Sequence, residues 1–283
     1  MVNIFLSAGI IHKLQPSLII KQKNIQMSNS IKELVGKEAS HGEDAADAKK
    51  VLIIAANPSV SEMTGWPIGA WAAELTHPYV EFQKAGYEIT IASPNGGKVE
   101  FDGFSDPRDA SGYSASDLVS LGFIHTPSLI GQLDDTIKLS DVDPSSFDAI
   151  FLVGGQSPMY TYKDNQGLMD FVSNFYESGK PTAVVCHATC ILLDTTLSDG
   201  SKLVEGRTWT GFADGEEQIA DQFVGQKIQP FWIESEARKI ENTNFQVKAP
   251  FTAYAIKDGN LITGQQQNSG GVAAELVIEA LEG

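Results

Sequence analysis

The stretch "PTAVVCHATCILL", residues 181–193, decides how the fold of this chain is interpreted. Its first half is a short apolar run rich in β-branched residues, which is typical of a strand buried on both faces of a parallel sheet. Its second half predicts a short helix, so Cys186 and His187 lie where strand becomes helix. Because ligands bind at the carboxyl ends of strands in such sheets, Cys186 is a candidate functional residue.

The same alternation of strand-like and helix-like segments continues on both sides of this stretch. Further strands are predicted at "KKVLIIAANP" (49–58), "YEITIASPNGG" (87–97), "FDAIFLVGG" (147–155) and "RTWTGFAD" (207–214), and a hairpin at "AYAIKDGNLITG" (253–264). Helices are predicted at "GAWAAELTHPYVEFQKAG" (69–86), "NQGLMDFVSNFYESGK" (165–180), "ESEARKI" (234–240) and "GGVAAELVIEALEG" (270–283). Strands alternating with helices predict an α/β fold with a doubly wound, mostly parallel sheet sandwiched by helices. Residues 94–146 are irregular, and we expect a cap-like insertion there.

The composition excludes several classes of partner. The chain has 283 residues, with 36 acidic against 20 basic side chains, a net charge of -16 and a pI near 4.6. This charge repels nucleic acids and anionic membranes, and the apolar runs are too short to span a bilayer. We therefore expect neither a nucleic acid nor a membrane as partner. Two cysteines cannot form a disulfide framework, which favours a reducing, cytoplasmic location.

The first 32 residues differ from the rest, because they contain four lysines and no acidic side chain. A mitochondrial targeting segment is acid-poor in the same way but is normally rich in arginine, and no arginine occurs here. The alternative interpretation is that translation starts near Met27 and that the residues before it are an extension without a targeting role. We expect residues 1–48 to be a disordered or weakly structured extension and residues 49–283 to be the folded domain.

Two interpretations of Cys186 fit its position. A free cysteine is most often a small buried hydrophobe. A cysteine at a sharp turn into a helix is instead lifted clear of the sheet, where the free N–H groups and the positive end of the helix dipole stabilise a thiolate. On the second interpretation the pKa of the thiol is lowered and Cys186 is a nucleophile.

The histidines limit how a catalytic site can be built around this thiol. The chain has five, His12, His41, His77, His125 and His187, and none follows residue 187. Triads whose histidine comes after the nucleophile, as in papain-like proteases and α/β-hydrolases, are therefore excluded. His187 is the leading candidate for the group that exchanges a proton with Cys186, the alternative being a hydrogen-bonded histidine at a helix start.

Acidic residues near other strand ends are candidates for the same site. In "TGFADGEEQ", a carboxylate of Asp214, Glu216 or Glu217 could fix the tautomer of His187, as the acid of a triad does. The alternative is that these acids lie in a solvated helix N-terminus. Glu74 lies on an otherwise apolar helix face, and burial there would raise its pKa into the range useful for proton transfer.

A glycine pair is the remaining candidate element. Gly154 and Gly155 follow a strand in "VGGQSPM", where bare backbone amides can approach a ligand and stabilise an oxyanion. An ordinary turn at the end of a strand is the alternative. We expect no metal and no organic cofactor at this site.

Six segments together resemble the ThiJ/PfpI superfamily, whose fold is flavodoxin-like and related to class I glutamine amidotransferases, and in particular its branch of heat-inducible chaperones and glyoxalase III enzymes. In chain order they are "TGWPIGAWAAELTHPY", "IASPNGG", "FDAIFLVGGQSPMY", "AVVCHA", "TGFADGEE" and "LITGQ". The resemblance runs from about Lys50 to the C-terminus. It implies that Cys186 is the nucleophile, that Glu74 is the acid hydrogen-bonded to it, and that Glu217 is the carboxylate partner of His187. It also implies an oxyanion pocket formed by Gly155 and the backbone amide of His187.

Members of this branch convert methylglyoxal to D-lactate without glutathione, and some act as holdase chaperones or are reported as protein deglycases. The resemblance therefore implies a cysteine-dependent lyase with a small aldehyde substrate, and we expect a homodimer. A holdase, a deglycase and an oxidation sensor are the alternatives.

The chain departs from the family pattern at several positions. Cys-His-Gly-Pro at the turn is replaced by Cys186-His187-Ala188-Thr189, the frequent histidine after the glycine pair is Gln156, and the late Asn-Pro is Gln266-Gln267. These changes leave the nucleophile and the acid in place but bear on the identity of the substrate. Cys190 could either resolve an oxidised Cys186 or pack in the short helix.

Overall fold

The computed structural model describes residues 48–283. Apart from Ala48, the predicted extension and its acid-poor first 32 residues lie outside the described residues. None of the helices in the described part of the chain has the length and apolar character needed to cross a membrane.

A seven-stranded sheet forms the centre of the described residues. Its strands, numbered along the chain with those of two small sheets, are β1 (Lys50–Ile54), β4 (Glu88–Ser93), β5 (Ile137–Lys138), β6 (Ala149–Leu152), β7 (Thr182–Val185), β10 (Ala255–Asp258) and β11 (Leu261–Gly264). The two small sheets pair β2 (Ser59–Val60) with β3 (Pro67–Ile68), and β8 (Thr208–Trp209) with β9 (Asn244–Phe245). The central order is β10-β11-β7-β6-β1-β4-β5, and every neighbouring pair is parallel except β10 with β11.

Helices flank this sheet. They are α1 (Ala72–Lys84), α2 (Leu118–Ile124), α3 (Pro127–Ile130), α4 (Pro158–Thr161), α5 (Gln166–Glu177), α6 (Asp214–Val224), α7 (Ile233–Ala237) and α8 (Gly270–Glu282). Short 3₁₀ helices cover Gly103–Ser105, Gly131–Leu133, Leu139–Asp141, Pro144–Ser146, Cys186–Leu193 and Gln267–Ser269. The prediction of a mostly parallel sheet sandwiched by helices is confirmed.

The order of the strands places a crevice beside β6. The chain passes from β1 to β4 through α1, and from β6 to β7 through α5, in opposite directions along the sheet. Because such crossovers are right-handed, α1 and α5 cover opposite faces. Ligands of doubly wound sheets bind where the strand order reverses, outside the carboxyl ends. Here β1 and β6 flank that point, and β7 ends beside β6.

Apolar sequence explains why β1, β6 and β7 are central. All four residues of β6 and of β7, and all of β1 except Lys50, are buried. A strand with a helical layer on each face has no polar side, so its sequence is a continuous apolar run rather than an alternation.

Two predicted features differ from the observed fold. The segment "RTWTGFAD" contributes only the two residues of β8, which pair with β9 outside the central sheet. Its polar and glycine residues leave too short an apolar run for a central strand. Within residues 94–146, Ile137–Lys138 joins the edge of the central sheet as β5, while short helices account for much of the rest.

Helices α1 and α8 pack closely because α8 starts with two glycines. A Cβ atom on Gly270 would lie 3.3 Å from the Cα of Glu74 and 3.3 Å from Cγ of Pro78, both in α1. A Cβ atom on the adjacent Gly271 would meet no atom within 4 Å. The first glycine therefore sets the separation of the two helices and, with it, the position of Glu74.

These two glycines form a matched pair for a stability test. We expect Gly270→Ala to lower the free energy of unfolding by about 1–3 kcal/mol, because the added methyl group overpacks a helix contact. We expect Gly271→Ala to raise it by about 0.5 kcal/mol, because only the entropy of the unfolded chain changes. Urea denaturation of both variants measures the difference, and equal effects would contradict this account of the packing.

Candidate active site

Cys186 occupies a sharp turn at the end of β7. Val185 is extended, whereas Cys186 has a φ of 55°, in the left-handed region that residues other than glycine rarely adopt. Such a conformation costs about 1–3 kcal/mol and is held only by its surroundings. One support is the hydroxyl of Thr189, which donates a 2.6 Å hydrogen bond to the carbonyl oxygen of Cys186.

Glu74 and Cys186 meet on either side of Gly154. The Gly154 N–H donates a 2.9 Å hydrogen bond to Oε2 of Glu74. A Cβ atom on Gly154 would lie 2.5 Å from that oxygen and 2.8 Å from Cβ of Cys186. The next residue, Gly155, has a φ of 109°, and a Cβ there would lie 2.4 Å from the backbone nitrogen of Trp71. The glycine pair thus leaves the space in which acid and thiol approach each other.

Burial changes the acidity of Glu74. Desolvation raises its pKa to about 7, against smaller opposing effects of the Cys186 thiol, His187 and the Gly154 amide. Its second carboxyl oxygen, Oε1, is buried and makes no hydrogen bond of good geometry within the described residues. A proton on this oxygen would remove an uncompensated charge from the interior, and Glu74 can therefore hold a proton near neutral pH.

The thiol of Cys186 does not have the lowered pKa that its position at a helix start led us to expect. Burial raises the pKa of this thiol well above its ordinary value, and the negative charge of Glu74 raises it further. The N–H groups of His187 and Gly155 act in the opposite direction but are weaker. Because the charge of Glu74 opposes a thiolate, the two groups titrate as a pair, and sulfur is ionised most readily when Glu74 carries the proton.

His187 connects the thiol to an acid. Its Nδ1 lies 3.5 Å from Sγ of Cys186, and its Nε2 lies 2.9 Å from Oε1 of Glu217. The ring also stacks on Phe212, with centroids 4.0 Å apart. Nε2–H donating to Glu217 leaves the Nδ1 lone pair facing the sulfur. Burial lowers the pKa of His187, but the carboxylates of Glu217, Glu74 and Asp102 together outweigh it, with Glu217 contributing most, so the pKa is raised.

The structure distinguishes among the three acids that the sequence left open. Glu217 bonds to His187. Glu216 instead accepts hydrogen bonds from the backbone N–H groups of Ala213 and Phe251, each at 2.9 Å. Asp214 accepts hydrogen bonds from the backbone and hydroxyl of Ser235. Only the first of these acids therefore touches the imidazole, while the other two fix the segments around it.

Asp102 is a buried acid that sequence reasoning missed. Its carboxylate accepts hydrogen bonds from the N–H groups of Gly69, at 2.8 Å, and Gln156, at 2.7 Å. It thereby fixes the loop that follows the glycine pair to the segment that precedes α1. Burial raises the pKa of Asp102 to about 6. No pattern marks this residue in the sequence, because it lies in the irregular stretch after β4.

Cys186, His187 and Glu217 line a cavity of about 160 Å³. Only 2% of Cys186 is exposed, so its sulfur is reached through this cavity rather than from the open surface. The other lining residues are Trp66, Trp71, Phe104, Tyr113, Gln156, Phe212, Ile219, Ala220, Phe223, Val224, Ile228, Gln229, Phe251 and Gln267. Sequence reasoning identified the reactive end of this cavity but not its aromatic walls, which come from separate segments.

Cys190 has a structural role. It is fully buried, and its thiol donates a 3.4 Å hydrogen bond to the carbonyl oxygen of Pro158. Burial raises the pKa of this thiol strongly. These contacts support the interpretation that Cys190 packs in the short helix.

Comparison with known proteins assigns the fold and the family. A model of the DJ-1/PfpI family matches residues 68–279. Glyoxalase 3 of Candida albicans is 29% identical over 77% of this chain and 92% of its own length. Glutathione-independent glyoxalase HSP31 of Saccharomyces cerevisiae is 27% identical over 84% of this chain and 99% of its own.

A solved structure agrees with these relatives. The crystal structure of glyoxalase III from Candida albicans superposes with a TM-score of 0.66 and 26% identity, over 82% of this chain and 97% of that one. The turn at Cys186 and the acids around it lie within the segment that the family model matches, and this chain belongs to the DJ-1/PfpI family.

Proposed function

We propose that this protein is a glutathione-independent glyoxalase that converts 2-oxoaldehydes of the methylglyoxal type to 2-hydroxy acids, with D-lactate as the product from methylglyoxal. The observation that carries the proposal is the buried thiol of Cys186 in the wall of a cavity, with a protonatable carboxyl group on one side and a histidine on the other. Relatives named as glyoxalases over most of their length support it.

The first step is addition of sulfur to the aldehyde. Glu74 holds the proton while sulfur is ionised, and the thiolate attacks the aldehyde carbon to give a hemithioacetal. The N–H groups of His187 and Gly155, which stabilise the sulfur anion in the free protein, lie where they can also stabilise the oxygen anion of the adduct. The proton held by Glu74 then passes to that oxygen, so the proton of the thiol becomes the hydroxyl proton of the hemithioacetal.

The second step moves a proton between the two substrate carbons. His187 lines the cavity, whereas Glu74 is not among its lining residues, so we assign the transfer to Nδ1 of His187. Nδ1 removes the proton from the carbon bonded to sulfur while the keto oxygen takes up a proton, giving an enediol. The imidazolium then returns its proton to the neighbouring carbon, and the hydroxyl on the carbon bonded to sulfur loses its proton as the thioester carbonyl forms. The Glu217 carboxylate stabilises the imidazolium that exists between these events.

The third step releases the product and regenerates the free thiol. Proton transfer converts the hemithioacetal to a thioester of Cys186, and water cleaves this thioester to the 2-hydroxy acid and the free thiol. One substrate carbon is oxidised and its neighbour is reduced, so the overall change is addition of one water molecule. The reaction consumes no external oxidant or reductant.

A holdase activity is the second candidate, favoured by exposed apolar side chains at the mouth of the cavity. Phe223 is 67% exposed, Tyr113 48% and Ile219 45%. Tyr113 and Phe223 are in ring contact, with centroids 6.1 Å apart. A contiguous exposed apolar patch of this kind can bind unfolded chains. Such binding would not need the thiol.

Replacement of the nucleophile tests the enzyme. We expect Cys186→Ala to reduce D-lactate formation from methylglyoxal by roughly 10³-fold or more, because no other group of the site can form the hemithioacetal. Cys190→Ala is the matched control, since it removes a thiol that lies outside the cavity, and we expect it to retain activity. Equal rates in the wild type and Cys186→Ala would contradict the proposal.

The adjacent acids Glu217 and Glu216 test the role of His187. We expect Glu217→Gln to lower the pKa of His187, because the carboxylate raises it, and to reduce kcat by roughly 10²-fold. Glu216→Gln should lower the pKa of His187 by much less, because Glu216 acts on the ring through its charge alone and makes no hydrogen bond to it. The imidazole resonances of His187 followed by NMR across pH give both values, and an unchanged pKa in Glu217→Gln would argue against the pairing.

The holdase candidate is tested separately. If the exposed rings bind clients, Phe223→Ser should weaken suppression of the aggregation of a heated client protein, while Cys186→Ala should retain it. Val272→Ser, on α8 away from the cavity, is the control for loss of an exposed apolar side chain. No suppression by the wild-type protein would remove this candidate.

A further inference from the structure

The cavity above Cys186 is larger and more aromatic than a three-carbon aldehyde requires. Its volume is about 160 Å³, and an apolar protein cavity of roughly 150 Å³ is sufficient to hold a benzene molecule. Methylglyoxal would leave much of this space to water against apolar walls, and such hydration is unfavourable.

The aromatic walls are arranged in advance of any ligand. Trp66 contacts Phe104 with ring centroids 5.8 Å apart and an interplanar angle of 62°. Phe104 contacts Tyr113 at 6.1 Å and Phe223 at 6.2 Å, with angles of 72° and 74°. Trp71 contacts Tyr113 at 6.1 Å and 87°. These are edge-to-face contacts, which favour aromatic neighbours and would accept one further ring.

The charge of the cavity disfavours a charged substituent. None of the described residues that line it is lysine or arginine. Glu217 is the one acid among these lining residues, and it is 1% exposed with Oε1 bonded to His187. A phosphate or carboxylate on the substrate would therefore lie in an apolar site without a partner, which is costly.

Two polar side chains in these walls, Gln156 and Gln229, have an Oε1 atom without a hydrogen-bond partner within the described residues. Gln156 directly follows the glycine pair beside Cys186, whereas Gln229 comes from a separate segment. Gln229 is 1% exposed and lines the cavity, yet its Oε1 has no hydrogen bond within the described residues. The neighbouring Ile228 N–H donates a 2.8 Å hydrogen bond to the carboxylate of Asp221 in α6. Asp221 lies four residues beyond Glu217, which is one helical turn or about 6 Å along the helix. The segment that carries Gln229 is thus attached to α6 one turn beyond the residue that bonds to His187.

We propose that the cavity selects a 2-oxoaldehyde whose keto carbon carries an aromatic ring, and that the amide of Gln229 hydrogen-bonds to a polar group on that ring. This inference rests on the glyoxalase function proposed above and specifies its substrate class. The ring would lie among the edge-to-face aromatic residues, and a para-hydroxyl group would supply the missing partner of Gln229. The chemistry at Cys186 is unchanged, and phenylglyoxal takes up one water molecule to give mandelate.

The first experiment compares substrates of the wild-type protein. We expect kcat/KM for phenylglyoxal to exceed that for methylglyoxal by roughly tenfold or more, because burial of the extra carbons contributes to transition-state binding. We expect para-hydroxyphenylglyoxal to exceed phenylglyoxal by roughly three- to tenfold, the contribution of one hydrogen bond. A preference for methylglyoxal over both aromatic substrates would overturn the inference while leaving the proposed function intact.

The second experiment uses a matched pair of glutamines. Gln229→Met keeps the length of the side chain but cannot accept the hydrogen bond, so the ratio of kcat/KM for the two aromatic substrates should fall to about one. Gln222→Met, at an exposed position of α6 outside the cavity, should leave this ratio as in the wild type. An unchanged ratio in Gln229→Met would overturn the role of Gln229.

A third measurement separates failure of the inference from failure of the proposed function. Phenacyl alcohol, its para-hydroxy derivative and hydroxyacetone are unreactive ketols, and quenching of tryptophan fluorescence, to which Trp66 and Trp71 contribute, reports their binding to the wild type. If no aldehyde is turned over, the proposed function fails, and tighter binding of the aromatic ketols would still support the aromatic cavity. Binding of hydroxyacetone as tight as that of the aromatic ketols would overturn the inference that the cavity selects an aromatic ring.

Discussion

The absence of a side chain at Gly154 is the constraint on which the rest of the site depends. Any Cβ at this position would overlap both the Glu74 carboxylate and the Cys186 side chain, at 2.5 and 2.8 Å. This space allows β6 to end beside β7. It also allows the carboxyl group of Glu74, on α1, to approach the thiol of Cys186, whose backbone has a φ of 55°. Neither group could otherwise influence the acidity of the other. The contact between Glu74 and Cys186 therefore depends on how closely the backbones of β6, β7 and α1 approach one another at Gly154.

The sequence was sufficient for the fold because the elements that form the core have simple patterns. The continuous apolar runs of β1, β6 and β7, the periodic helices α1, α5 and α8, and the turn at Asp258-Gly259 each follow from local propensity and burial. The short strand β8 was placed wrongly, since "RTWTGFAD" has strand-forming residues but lies outside the central sheet, and only tertiary pairing with β9 defines it. Local patterns cannot show which sheet a short strand joins.

The candidate site was predictable in its composition but not in its electrostatics. Cys186, His187 and Glu74 stand out in the sequence because of their positions at a strand end and on an apolar helix face. The expected lowering of the thiol pKa was wrong, because the free amides of a helix start are outweighed by burial and by the charge of Glu74. Asp102 and Gln229 could not be identified either, since each acquires its significance from segments distant in the sequence.

In the proposed function, helix α6 connects the proton transfer at His187 to the choice of substrate. Its first turn places Glu217 against His187, and its later turns supply Ile219, Ala220, Phe223 and Val224 to the cavity wall. Because one helix contributes both to the cavity wall and to the partner of His187, a substrate ring that packed against its later turns would bear on the same element that holds the imidazole. Binding energy gained far from the reacting carbons can therefore improve the alignment of His187, which is how remote contacts raise kcat rather than lower KM alone. Phe223 of the aromatic wall and the Glu217 partner of His187 are best regarded as two parts of one structural unit, helix α6.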